Sequence, residues 1–175
     1  KSTKPISELP EMTFGSMPND GGYLILSAEE KDYLIKRYSE SEIFIRCFTG
    51  GKEFLNELEI NRWCLFIKDE SLEDAIKIDD IAQRIQKVKD YRNESNREAT
   101  RKLSNKAHKF GELRHSDSSS IIIPATTAER RKYIPIGFYE EKEKIVISNS
   151  AQVIYNAKFW NFGIIKKKCL LTINA

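Results

Sequence analysis

Apolar residues recur along the chain with two different periods, and the switches between them outline the elements. Residues 1–22 carry Pro, Gly and Ser with no sustained period and read as an extended lead-in closed by Gly21-Gly22. Tyr23-Leu24-Ile25-Leu26 predicts a short strand. Ser27-Ala28-Glu29-Glu30 has the form of a capping box, in which the hydroxyl accepts an amide bond and Glu30 reaches back, so a helix is expected to about Tyr38. Its inner stripe would be Tyr33, Leu34 and Tyr38. Ile43 to Phe48 and Trp63 to Ile67 have strand character, with a Thr49-Gly50-Gly51 turn between them. From Leu72 to Tyr91 the period becomes helical, with Ile78, Ile81, Ile85 and Val88 on one face.

A second capping-box pattern, Ser95-Asn96-Arg97-Glu98, predicts another helix with the stripe Ala99, Leu103, Ala107 and Phe110, stopped by Gly111. That placement leaves Arg97 and Arg101 on one flank and Lys102, Lys106 and Lys109 on another. After residue 119 the pattern is β-rich: Ser120 to Ile123, Tyr133 to Phe138, Ile145 to Ile147 and Val153 to Tyr155. The order implies an α+β fold, with mixed or antiparallel sheets and packed helices. No internal repeat or low-complexity tract is present.

With 175 residues, 40% apolar and 31% charged, the chain fits one domain, or one with an appendage, and can bury a core. No apolar run is long enough to span a bilayer, so no membrane partner is expected, and the N-terminus has no apolar signal region. The chain begins without Met and is expected to be a piece of something longer. Cys47, Cys64 and Cys169 are odd in number and widely spaced, and His108 and His115 are the only histidines. No metal site is expected, and the cysteines read as reduced thiols of a cytoplasmic protein.

The net charge of +3 conceals an asymmetry. From Arg84 to Arg114 there are ten Lys/Arg against four acids, while the remainder of the chain is slightly acidic. Such a segment is either a solvated helical face or a surface for an anionic partner, most simply a nucleic acid. The loop Arg114-His115-Ser116-Asp117-Ser118-Ser119-Ser120 carries groups that can meet base edges, and reads equally as a flexible polar loop. "TTAERRKYIPIGF" (126–138) sets three cations against an apolar run. No Gly-x-Gly-x-x-Gly, phosphate loop, Gly-x-Ser-x-Gly or His-Glu-x-x-His occurs, so the chain itself reads as non-catalytic.

Five pieces, in order, carry a family resemblance: "GSMPNDGGYLILSAEEK" (15–31), "FIRCFTGGKEF" (44–54) with "RWCLFI" (62–67), "TRKLSNKAHKFGELR" (100–114), "AERRKYIPIGF" (128–138) and "NSAQVIYNAKFWNFGII" (149–165). Through them the chain resembles the target-recognition domain of adenine-specific DNA methyltransferases of the type IIG, MmeI-like restriction–modification kind. The resemblance implies a lead-in over 1–22 from a methyltransferase domain, a recognition domain over 23–165, and the start of a further segment at 166–175. It implies sequence-specific reading of double-stranded DNA, while a separate domain of the same parent chain binds S-adenosylmethionine, flips adenine and methylates its N6. This chain holds neither the Gly-rich cofactor motif nor Asn/Asp-Pro-Pro-Tyr/Phe, so no cofactor is expected here, and any enzymatic activity, endonuclease included, belongs to the parent.

Arg97, Arg101, Lys102, Lys106, Arg130 and Arg131 are expected at phosphates, because a shared motif suits the shared backbone. An internal pair with Glu129 is the rival for Arg130. Lys109, Arg114, His115, Asp117 and Ser119, with the segment 139–144, are the candidates for base readout. Thr127-Ala128 replaces the usual Ser-Ser, which removes one hydroxyl. Trp63, Phe110, Tyr133 and Phe138 are expected in the core, and Gly21, Gly22, Gly50, Gly111 and Gly137 at turns. The alternatives are a free-standing nucleic-acid-binding module and a protein-interaction domain with a basic helix.

Overall fold

The computed structural model describes residues 10–56, 61–127 and 133–171, and in them eight short strands form two four-stranded sheets. The first sheet runs β1 (Met12–Phe14), β8 (Ala151–Tyr155), β5 (Ser120–Pro124), β6 (Gly137–Tyr139) and is antiparallel throughout. The second runs β2 (Ile25–Ser27), β4 (Arg62–Leu65), β3 (Ile45–Thr49), β7 (Val146–Ile147), with β7 parallel to β3. The helices are α1 (Ala28–Arg37), α2 (Gly51–Leu55), α3 (Leu72–Ala75), α4 (Asp79–Asn93), α5 (Glu98–Lys102) and α6 (Phe159–Leu171), with a 3₁₀ turn at Leu103–Lys106 after α5. The expected α+β class with mixed and antiparallel sheets is therefore the observed one.

Three apolar clusters define the layers. The largest joins the second sheet to α1, α3, α4 and the end of the 3₁₀ turn through Leu26, Cys64, Leu34, Ile81, Val88 and Phe110. A second, with Ile122, Ile147 and Val153, lies between strands of the two sheets. In the third, Ile121 and Ile154 of the first sheet pack against Phe162 and Ile165 of α6.

One end of both sheets is tied by a junction of small residues. Ser148 N–H donates to Thr49 O at 2.8 Å, Ser16 N–H to Ile147 O at 2.7 Å, Asn149 N–H to Ser16 O at 2.9 Å and Ala125 N–H to Ser150 O at 3.1 Å. Ser150 Oγ accepts from Gly51 N at 3.0 Å and shares a proton with Ser148 Oγ at 2.6 Å. Glycine is needed here for close approach. A Cβ on Gly51 would come within 2.5 Å of Ser150 O, and one on Gly15 would meet the backbone at Ile147 and Ser148. Gly50, expected at a turn, is the N-cap of α2.

The N-terminal half of the structure is joined to α5 by Arg92, whose side chain is fully buried. All five of its N–H groups are used. Nε donates to Asn19 O (2.9 Å), Nη1 to Leu103 O and Lys106 O (3.0 and 2.9 Å), and Nη2 to Pro18 O and Lys109 O (3.1 and 2.8 Å). Three of the acceptors are spaced by three residues along the end of a helix, where carbonyls run short of intrahelical donors, although Lys106 O also accepts from Lys109 N at 3.0 Å. The guanidinium is thus the cap of that helical end. Burial pushes its pKa down, opposed by the Asp20 charge.

Several expectations are corrected. The Ser27 capping box forms, but of the proposed inner stripe only Leu34 is buried and Tyr33 is exposed. The second capping box does not form, because Ser95 Oγ accepts from Arg97 N instead; α5 starts at Glu98 and tightens to 3₁₀ after one turn. That rotates the stripe, so Thr100 is buried and Ala99 exposed. The 72–91 helix is broken between Ala75 and Asp79. Part of the lead-in is a strand, β1, paired to β8. Residues 133–136 are not strand and Tyr133 is 49% exposed, since Pro135 cannot donate to a ladder. Helix α6 was not foreseen: Gly163 interrupts an otherwise apolar run with no clear helical period.

Replacing Arg92 should therefore unfold the chain disproportionately for one residue. Hydrogen bonds to charged groups contribute about 1.5–3 kcal/mol each, and a buried acceptor left alone costs about 1–3 kcal/mol. Arg92→Met is expected to lower the unfolding free energy by about 3–5 kcal/mol in urea titration. Arg92→Lys, with three donors that cannot span the fork, should fall between. A loss under about 1 kcal/mol for Arg92→Met would contradict the capping role.

Candidate nucleic-acid interface

The strand directions gather several loops at the end of the sheets opposite the glycine–serine junction. Ser120 opens β5 and pairs with both Tyr139, the end of β6, and Tyr155, the end of β8. In the second sheet Ile45, the start of β3, pairs with Leu65, the end of β4. Residues 66–70, 115–119, 140–145 and 156–158 therefore emerge together.

The strap 112–119 supplies most of the polar groups, and its course is fixed at both ends. Met17 and Glu112 exchange backbone hydrogen bonds, and Arg114 N–H donates to Ser16 Oγ at 3.0 Å. At the far end Ser119 Oγ–H donates to Ala157 O at 2.5 Å and Asn156 N–H to Ser118 Oγ at 3.0 Å. Between these ties His115 turns inward, with its side chain only 3% exposed, edge-on to Phe66 and Tyr155 at 5.2 and 5.9 Å.

Arg46 reaches this strap from β3. Its guanidinium donates to both oxygens of Asp117, lies 2.9 Å from His115 Nε2 and stacks on Phe66 at 4.0 Å from the ring centre. Lys68 Nζ is 3.9 Å from the same carboxylate. The Arg46 hydrogen bond holds the Asp117 carboxyl down at about 2, with smaller help from His115. Burial pushes the His115 pKa below its ordinary value, outweighing the Asp117 hydrogen bond. The ring is therefore neutral at pH 7, and Nε2, within reach of both Arg46 (2.9 Å) and Asp117 (3.1 Å), serves one at a time: protonated it donates to Asp117, unprotonated it accepts from Arg46.

Beside the strap, Asp69 accepts from Lys109 and from His108 Nε2 at 2.9 Å. A groove of about 230 Å³ runs between segment 66–70 and Lys109, Leu113, His115 and Asp117. A second groove of about 360 Å³ places Arg46 and Trp63 with Lys142, Glu143 and Lys144. A larger one, about 580 Å³, lies between α1 and α4 around Tyr23, Tyr33, Asp80 and Arg84. Its lining mixes charges of both signs, and none of the loops above reaches it.

The expected site residues are distributed unevenly. Lys109, His115, Asp117 and Ser119 come together with Arg46, Phe66, Lys68 and Asp69. His115 is 3% exposed and the Ser119 hydroxyl donates to Ala157 O, so the structure turns both of these base-readout candidates inward. Asp117 is 45% exposed and keeps an outward edge; Arg114 is exposed but paired with Glu112. Segment 139–144 ends β6, and its Lys142 pairs with Glu140 at 2.6 Å. Arg97, Arg101, Lys102 and Lys106 are all exposed on α5 and its 3₁₀ extension. Lys102 pairs with Glu98 at 2.8 Å, and Arg101 donates to Ser95 O at 2.8 Å. Ala128, Glu129, Arg130 and Arg131 lie outside the described residues.

The basic excess from Arg84 to Arg114 is smaller at the surface than in the sequence. Arg92 is interior, and Arg84 and Lys109 are bound to Glu30 and Asp69. Lys89, Arg97 and Lys106 are exposed with no ion pair among the described residues. Arg46, Phe66, Lys68 and Asp69 were missed. Arg46 alone had left a mark in the sequence, a charge inside the apolar strand Phe44–Phe48.

This arrangement is that of a recognition module: a stiff pair of sheets presenting polar straps at one end. The chain belongs to the MmeI target recognition domain family, which it matches over residues 1–172. It is 34% identical over 170 residues to DNA methyltransferase A of Bacillus subtilis (strain 168), covering 97% of this chain and 19% of that protein. It also superposes on the type IIL restriction–modification enzyme MmeI, solved in complex with DNA, with a TM-score of 0.83 and 33% identity. That match covers 95% of this chain and 22% of the other. The chain thus spans about a fifth of the length of each relative.

The Arg46–His115–Asp117 cluster makes acid a specific stress. Asp117 has a depressed folded pKa, so its contribution is present above its ordinary value of 3.8 and is lost as pH falls towards about 2. His115 is also depressed, and a base held neutral loses stability as pH falls below its ordinary 6.5. Chemical denaturation should show stability falling first below about pH 6.5 and again below about pH 4. In Arg46→Met, carbon-detected NMR should find the Asp117 carboxyl back near the usual aspartate range. An unchanged carboxyl would mean that Arg46 does not control it.

Proposed function

We propose that this chain reads duplex DNA sequence as the specificity domain of a restriction–modification methyltransferase. The observation that carries this reading is the superposition, over nearly the whole chain, on an enzyme solved in complex with DNA. The gathering of segments 66–70, 115–119 and 140–145 at one end of two braced sheets supports it. Exposed Arg97, Arg101, Lys102 and Lys106 would hold phosphates, and Arg130 and Arg131 would join them. Asp117, Arg114, Lys109 and the segment 139–144 would face base edges.

The chemistry would lie elsewhere in a longer polypeptide. No Gly-rich cofactor loop and no Asn/Asp-Pro-Pro-Tyr/Phe sequence exists in these 175 residues, so we place no S-adenosylmethionine site in them. We assign that cofactor, adenine-N6 methylation and any type IIG cleavage to the remainder, and the whole to the cytoplasm. Among the described residues no helix is long and apolar enough to cross a membrane.

Binding should be measurable with the chain itself. Fluorescence anisotropy on a labelled duplex is expected to give a dissociation constant of roughly 10⁻⁴ to 10⁻⁶ M at physiological salt for random sequence, tightening as salt is lowered. Arg101→Ala should weaken binding on all duplexes about equally and reduce the salt slope by about one. Absence of binding at low salt would favour a protein partner for the basic helix. A change of preferred sequence in Arg101→Ala would make that residue a reader.

A further inference from the structure

We infer that Arg46 is a positioning residue for sequence readout: it fixes Asp117 so that the carboxylate's outward edge accepts a hydrogen bond from an exocyclic amine of one base pair. The inference rests on the DNA-reading function proposed above.

Arg46 is one of the few groups that touches several of the converging segments at once. It binds Asp117 and faces His115 in the strap, stacks on Phe66 at the start of segment 66–70, and shares a groove with Lys142 and Lys144. Its side chain is 12% exposed, against 45% for Asp117, so the cation is spent inside the protein while the acid looks out. A guanidinium bound through both terminal nitrogens fixes the plane of a carboxylate, which a single-point contact cannot do. The strap directly after Asp117 is tied as well, through the Ser118 and Ser119 hydroxyls.

A carboxylate so held is an acceptor only. In the major groove it suits the N4 amine of cytosine and penalises thymine O4 or guanine O6, which are acceptors too. Without Arg46, Asp117 would keep only the single-point contact to His115 Nε2 at 3.1 Å and could be drawn to Lys68, 3.9 Å away. The acceptor would then no longer be aimed.

The test is selection of bound duplexes from a randomised pool by the chain and by Arg46→Met, Arg46→Lys, Asp117→Asn and the Arg46→Met/Asp117→Asn pair. The wild type is expected to demand an amine-bearing base at one position, by about ten- to hundredfold. Asp117→Asn and Arg46→Met should each relax that same position, and Arg46→Lys should restore part of it. Adding Arg46→Met to Asp117→Asn should relax it no further, since the arginine acts through the acid. Circular dichroism melting reports whether each variant is folded. If Arg46→Met fails to fold, Arg46→Lys and Asp117→Asn carry the test, and equal profiles for Arg46→Lys and wild type alongside a relaxed Asp117→Asn would overturn it. An intact profile with a salt slope flatter by about one would make Arg46 a phosphate contact and overturn it as well. A wild type that enriches no sequence would sink the reading function itself, which is a different result from a variant that keeps its preference.

Discussion

The buried guanidinium of Arg92 is the constraint on which the placement of the interface depends. It sits on α4, yet its acceptors come from the turn before β2 and from the helical end after α5. Those two segments continue directly into the Met17–Glu112 bridge that starts the strap. A charge this deep is tolerated because all five donors are matched by backbone carbonyls. The arrangement is reciprocal: the helical end needs donors, and the cation needs acceptors. It also explains the local geometry, since carbonyls held at residues 103, 106 and 109 follow the three-residue repeat of a 3₁₀ turn more closely than an α-helix.

The two ends of the sheets then serve different ends. At one, glycines and serines let Gly15, Gly51, Ser148 and Ser150 approach at backbone distance, which locks β1, β3, β5, β7 and β8 against one another. At the other, the strands release loops that carry charge. Three of the five recognisable sequence pieces, around residues 15–16, 48–51 and 149–151, meet at the first end. Their residue types answer to packing, and this is why they read as a family signature without naming a function.

Much of the fold was legible because its signals are local. The Ser27–Glu30 box and the strands expected at 43–48 and 63–67 involve neighbours in sequence; the box forms, and the strands appear as Ile45–Thr49 and Arg62–Leu65. Expectations failed where a competing local contact or a proline intervenes. Ser95 to Glu98 has the same capping pattern as Ser27 to Glu30, but Ser95 Oγ accepts from Arg97 N and the helix starts only at Glu98. Tyr133 to Phe138 has strand composition, but Pro135 removes a donor and only Gly137–Tyr139 pairs. The site was half legible. Asp117 and Lys109 stand in a polar stretch that announces itself, whereas Arg46 is 71 residues from its partner and Asp69 is 40 from Lys109.

Those long-range pairs bear on how a reader can be specific. A flexible polar loop can meet almost any base pair, and it must be ordered at each encounter at a cost of roughly 0.5–1.5 kcal/mol per side chain. The strap here is ordered beforehand: tied to Ser16 and Ala157 at its ends, pinned by Arg46 at its middle, and filled from beneath by a neutral His115. On the proposed reading, discrimination comes from the penalty of presenting a fixed acceptor to the wrong base, and not from the sum of contacts to the right one. On that same reading, specificity can change by exchange of one outward side chain, because the framework beneath it is held by groups that face inward.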